Sequence, residues 1–194
     1  MKKGGQRQKS GRHERRIGKL FDGEWYPDDD GEFRRTPSSG GWDKRIAPGD
    51  IQPFKFMSDK SEEMQLDNSF PFSVECKDWH DDNVKHIFAG LYGKPSQVYD
   101  WMEQAEGDAQ ASGKIPVVIF KLYRTEDLVM MLMRDRARLR ELFGIFEHGV
   151  YQVIGGPEKI IFCRFKPWLE WIDWGFYKAL HRRKGYVTSL VPKS

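Results

Sequence analysis

The stretch Phe70-Pro71-Phe72-Ser73-Val74-Glu75-Cys76-Lys77 decides how this chain is read. Its aromatic and β-branched content makes it a strand. Side chains alternate along a strand, so Glu75 and Lys77 point to one face and Cys76 to the other. A carboxylate and an ammonium therefore share one edge of a sheet. Upstream, Pro48-Gly49-Asp50 forms a turn into a short strand around 50–54, from which Asp50 can supply a second carboxylate. Two hard oxygen ligands and a backbone carbonyl suit Mg2+, which keeps several of its waters and is seldom caged by protein alone. Lys77 beside such a cation can orient or help deprotonate a bound water, as hydrolysis of a phosphodiester requires. By itself Glu-x-Lys also fits a surface ion pair on a strand. Context brings the site level with the ion pair, because this tripeptide occurs once in the chain, ends an apolar run and follows Pro-Gly-Asp.

Downstream, Pro95 and Ser96 open a helix that runs to about Ser112 and is stopped by Gly113 and Pro116. Val98, Met102, Ala105 and Ala109 form its apolar face, with Gln97, Trp101 and Gln104 on the adjacent one. Val117-Val118-Ile119-Phe120 reads as a buried central strand. Thr125 then caps a predicted helix with Glu126 and Asp127 in its first turn and Leu128, Met131, Leu132, Leu139, Leu142 and Phe143 on its buried side. A hairpin follows, 148–154 and 159–165 about Gly155-Gly156-Pro157, and an aromatic helix starts at Pro167.

Upstream, residues 1–10 are polar and basic and read as a disordered arm. A helix from Ser10 or Gly11 carries Ile17, Leu20 and Phe21 on one stripe. The turn 27–31 leads to a short strand, 32–36, and then to a Gly-rich loop. The acid-rich segment 57–69 reads as a surface insertion. The 194 residues, 39% hydrophobic and 31% charged, make one domain with an arm, and no apolar run approaches the roughly 18 to 20 residues that cross a bilayer. Two distant cysteines, Cys76 and Cys163, exclude a thiol-rich zinc module and a disulfide framework and point to a reducing, cytoplasmic setting. Net charge is only +3, but residues 1–20 hold eight Lys or Arg against Glu14 alone, and the last seventeen hold five against none. Such basic ends fit an anionic partner, nucleic acid first, or else solubilising tails. Arg12, Arg15 and Arg16 near the start, and Arg34, Arg35, Ser38 and Ser39 around the Gly-rich loop, are the candidates for gripping phosphates.

At these residues the sequence resembles the PD-(D/E)XK nucleases, and within them phage-encoded proteins similar to archaeal-type Holliday-junction resolvases. The matching pieces, in order, are Gly11-Arg12-His13-Glu14-Arg15-Arg16, Arg35-Thr36-Pro37-Ser38-Ser39-Gly40-Gly41, Pro48-Gly49-Asp50-Ile51, the strand ending Glu75-Cys76-Lys77, and Trp101-Met102-Glu103-Gln104 leading to Lys114-Ile115-Pro116-Val117. They cover about residues 11–122. The resemblance implies an α/β restriction-endonuclease-like core, a mixed central sheet flanked by helices, over 11–124, with 125–194 as a C-terminal hairpin-and-helix extension ending in a basic tail. It also implies that Asp50, Glu75 and the Cys76 carbonyl bind Mg2+ (or Mn2+), that Lys77 positions the attacking water, that Glu14 reaches the metal through water, and that Gln104 lies beside the site. Asp50 and Glu75 stand 25 residues apart, more than in compact family members, and the insertion 57–69 accounts for the excess.

Asp78, His80, Asp81 and Asp82 crowd past Lys77 and read as solvated loop rather than ligands. The five histidines show no zinc spacing. Cys76 and Cys163 read as inert core thiols. Trp168, Trp171, Trp174, Phe176 and Tyr177 suit a core or interface helix better than a base-stacking platform. The expectation is a Mg2+-dependent DNA endonuclease selecting branched DNA by shape, working as a C2 homodimer in the host cytoplasm. The rivals are a non-catalytic nucleic-acid or protein-binding module on the same scaffold, and a nuclease for linear or single-stranded DNA.

Overall fold

The computed structural model describes residues 4–36, 49–57, 64–78, 89, 92, 96–121, 126–153 and 159–182. A 22-residue helix, α1 (Gly4–Trp25), opens the chain. The strands β1 (Gly31–Arg35), β2 (Ile51–Phe56) and β3 (Met64–Leu66) form a three-stranded antiparallel sheet in that order. Next come β4 (Phe72–Asp78), α2 (Gln97–Gln110), β5 (Ile115–Lys121), β6 (Asp127–Leu132), α3 (Met133–Phe143), β7 (Val150–Val153), β8 (Ile160–Arg164), α4 (Phe165–Trp171) and α5 (Trp174–Arg182). The larger sheet has the order β4-β5-β6-β8-β7, parallel between β4 and β5 and antiparallel elsewhere. A mixed sheet flanked by helices is thus the core, as a restriction-endonuclease-like fold requires.

The alternation along β4 assigns its two faces. Phe72, Val74 and Cys76 join a cluster with Ile17 and Phe21 of α1, the other strands, and Phe165, Trp168, Trp174 and Tyr177 of the C-terminal helices. The opposite face of the sheet carries Val118, Phe120, Met130 and Phe162 against Val98, Trp101, Met102 and Ala105 of α2. Ser96 caps α2, its hydroxyl accepting the Val98 N–H at 3.4 Å. The aromatic C-terminal segment is therefore mainly core, although Phe176 is exposed.

Four expectations are corrected. Residues 4–10 belong to α1 rather than to a disordered arm: Gln, Lys and Arg are good helix formers, and a turn already anchored by buried Ile17 and Phe21 extends at little cost. The segment after residue 125 is first a strand, β6, and only then a helix, α3. Val129, Met130, Met131 and Leu132 are all buried, so β6 lacks the period-2 pattern that would have marked it. Within 57–69, Met64–Leu66 pairs with β2, and Asp67 is buried, accepting from Trp25 Nε1 at 3.1 Å and Tyr26 Oη at 3.0 Å. Finally, residues 125–194 do not form an appendage beside a finished core: β6, β8 and β7 continue the sheet that β4 and β5 begin. The expected hairpin is present as β7 and β8, while its turn and the basic tail from 183 lie outside the described residues.

Candidate active site

The site forms where the two sheets meet. Gly49 makes a parallel bridge to Val74, so the chain entering β2 lies along the free edge of β4. Asp50 N–H donates to the Val74 carbonyl at 2.7 Å, and the Cys76 N–H donates to Asp50 Oδ2 at 2.8 Å. Only glycine fits at position 49: its φ is +85°, and a Cβ there would lie 2.5 Å from the Val74 carbonyl oxygen. Thr36 closes the other side, its N–H donating to the Asp50 carbonyl at 2.8 Å and its hydroxyl to the Gly49 carbonyl at 2.9 Å.

Around this edge, side chains arrive from both layers. On the α2 side, Lys77 Nζ donates to Glu75 Oε1 at 2.5 Å and to Gln104 Oε1 at 3.0 Å, while Gln104 Nε2 donates to Glu75 Oε1 at 2.7 Å. Glu75, Lys77 and Gln104 thus form a closed triangle. On the α1 side, Glu14 is 4% exposed and pairs with Arg35. Gly11, one turn earlier, leaves room for that guanidinium: a Cβ there would lie 3.0 Å from Arg35 Nη1.

The electrostatics are lopsided. Burial, the Glu75 carboxylate and, more weakly, Glu14 push the Asp50 pKa up to about 7, against the lowering pull of the Cys76 N–H and Lys77. Three carboxylates share this corner; Lys77 pairs with Glu75, and Arg35 with Glu14. Asp50 Oδ1 and Glu75 Oε2 accept no hydrogen bond among the described residues. One open oxygen from each of two neighbouring carboxylates, in a corner that gathers three acids, fits a hard divalent cation bound mainly through water. Among the described residues, no three His, Cys, Asp or Glu side chains converge tightly enough to chelate a metal alone.

The structure brings Asp50, Glu75, Lys77 and Gln104 together, with Glu14 behind Asp50. Cys76 is buried on the other face, where burial holds its thiol protonated, and it offers the site only its backbone. The basic candidates divide. Arg12 and Arg15 are exposed on the turn of α1 that carries Glu14. Arg16 instead pairs with Asp127 at 2.5 Å and with His13 Nδ1 at 3.1 Å, tying α1 to the start of β6. Arg34 pairs with Glu32, and Arg35 with Glu14. Ser38, Ser39 and the acidic run 80–82 lie outside the described residues. The latch residue Thr36 was not foreseen. Its role follows from the β1–β2 register, Arg35 opposite Ile51, which sets Thr36 beside Asp50 and leaves no local mark in the sequence.

No curated protein and no solved structure matches the chain. A family profile described as "Phage putative PDDEXK endonuclease" matches residues 5–153, from α1 through β7. That span contains Asp50, Glu75, Lys77 and Gln104. The chain belongs to the phage PD-(D/E)XK endonuclease family.

Proposed function

We propose that this protein is a Mg2+-dependent DNA endonuclease in which Asp50 and Glu75 hold the cation, with the Cys76 carbonyl as a further ligand, and Lys77 positions the attacking water. The observation that carries the reading is that Asp50 and Glu75 act on one another and each keep an oxygen that accepts no hydrogen bond among the described residues, next to a lysine whose amine is held by Glu75 and Gln104. When bound, the cation would polarise the scissile phosphate and acidify a water. Mn2+, with the same taste for oxygen ligands, would substitute.

The chain's own residues do the rest. The Cys76 N–H fixes one oxygen of Asp50 so that the other faces the corner. Gln104 and Lys77 do the same for Glu75. Gln104 also holds the Lys77 amine on the Glu75 side, from where it can hydrogen-bond a water approaching the phosphorus and stabilise charge developing on the phosphate. Arg35 balances Glu14 and keeps that acid near Asp50, where its carboxylate would hydrogen-bond water at the site. Arg12 and Arg15, exposed on α1 beside the site, would grip DNA phosphates with Ser38 and Ser39. No helix of the described residues is long and apolar enough to cross a membrane. Branched DNA, a C2 homodimer and action in the host cytoplasm complete the proposal; they follow from the resolvase-like resemblance, since paired strands need paired sites.

A cleavage panel tests it: four-way junction, flap, linear duplex and single-stranded DNA, each with Mg2+, with Mn2+ and with chelator. The proposal expects metal-dependent nicking, strongest on the junction and absent from Asp50→Asn. DNA binding with no cleavage of any substrate would replace it with a binding role.

A further inference from the structure

A second cavity lies away from the carboxylate corner. It occupies about 730 Å³ where β4 and β5 begin, closed in by the C-terminal half of α2, the first turns of α3, and Tyr177 of α5. Glu75 lies four residues further along β4 than Pro71 on the cavity wall, about 13 Å at the rise of a strand. The volume is that of a small-molecule pocket.

Its unusual member is Lys114, in the short connection before β5. The Lys114 amine is shielded from solvent and has no hydrogen-bond partner among the described residues. The acid that acts on it, Asp67, is already occupied: its oxygens accept from Trp25 Nε1, Tyr26 Oη, the Ser69 N–H and the Ser69 hydroxyl. Burial lowers the Lys114 pKa to about 8, against the pull of Asp67, so most of the amine is charged at neutral pH. A buried ammonium without a counterion is costly unless something supplies one. The other cations on the wall are matched, Arg134 with Glu106 and Arg138 with Asp135, and Glu103 sits on the exposed rim.

We propose that this cavity binds a phosphate monoester of mononucleotide size, with Lys114 as the counterion of its phosphate. Lys114 is one of the residues that line the cavity, and its four-carbon stem lets the amine swing toward it. Arg138 has guanidinium N–H groups beyond the one that donates to Asp135, and a planar fork of this kind suits phosphate oxygens. The apolar wall of Pro71, Ile115 and Tyr177 suits the flat face of a base. This site stands independently of the nuclease reading, because none of its residues belongs to the Asp50–Glu75 corner.

The test uses the full-length chain in chelator, so that no cation at the acidic corner can recruit the ligand. Thermal melts and 31P NMR titrations are run with inorganic phosphate, thymidine monophosphate and acetate. The expected result is saturable binding of the nucleotide, weaker binding of phosphate, no response to acetate, and a rise in wild-type Tm. Lys114→Met should melt higher than wild type without ligand, because an unpaired buried charge is gone, and its Tm should no longer respond to the nucleotide. Lys114→Gln, which keeps the polar end, should weaken nucleotide binding at least tenfold. Wild type indifferent to the nucleotide, Lys114→Gln binding as tightly as wild type, or acetate acting as well as phosphate would each overturn the proposal.

Discussion

Asp50 is held in the metal-free protein at a cost to stability. A carboxylate whose pKa rises from 3.8 to about 7 on folding binds its proton more tightly in the folded state. Its favourable contribution is therefore complete below pH 4 and lost as pH climbs through about 7. Asp50→Asn removes the charge and keeps an oxygen for the Cys76 N–H. In chelator at pH 8 the variant should be more stable than wild type by at least about 1 kcal/mol, roughly 2–4 °C in Tm, with the advantage fading toward pH 4. Melting curves against pH check this, and an advantage independent of pH would assign the effect to packing instead. Gly49→Ala acts in the opposite sense. Its Cβ cannot coexist with the Val74 carbonyl at positive φ, so the variant should lose about 2 kcal/mol or more in denaturant titrations, along with the alignment of Asp50. Lys77→Met should cost cleavage about 100-fold or more in single-turnover assays while leaving cation binding in place. At this scale the sequence was informative where chemistry is local. Alternation alone put Glu75 and Lys77 on one face, and the Pro-Gly-Asp turn marked Asp50. It was silent where partners come from afar: the grip of Thr36 on Gly49 and Asp50, and the internal partners that Arg16 and Arg35 find in Asp127 and Glu14.

Among the elements, α1 brings the third acid to the site. It presents Glu14 toward Asp50 while burying Ile17, Phe21 and Trp25 on the same side. Phe21 meets the rings of Phe33 at 5.3 Å, Phe70 at 5.4 Å, Phe165 at 5.6 Å and Trp174 at 6.1 Å, so one side chain joins α1 to β1, to the entry of β4 and to both C-terminal helices. Phe21→Ala should therefore cost about 3–5 kcal/mol, measurable by denaturant unfolding. The stripe of Ile17 and Phe21 made this helix legible, and Ser96 with Gly113 bounded α2. β6 was hidden, because a strand buried on both faces has the composition of a helix core and the acids at its start imitate a helix first turn. β3 was hidden for the opposite reason: three residues with two half-exposed side chains carry almost no pattern, and only pairing with β2 defines them.

Across the molecule as a whole, residues after 125 complete the larger sheet that the Glu75 strand begins. β6 pairs with β5, and Trp168 and Trp174 pack against Phe72 at the start of the Glu75 strand. A chain ending at residue 124 would leave β5 as a bare apolar edge and should fail to give a cooperative unfolding transition by circular dichroism. This dependence is long-range and invisible to motif spacing, which is why the C-terminal segment read as an add-on. What the motif order did convey was the family and the corner where its acids meet. The most direct test of that corner is to count the cation. Mn2+ titrated into the protein and followed by electron paramagnetic resonance should show one saturable site per chain, abolished in both Asp50→Asn and Glu75→Gln, while both variants keep their fold. A site that survives in both folded variants would contradict the account, because the cation would then be held by other groups.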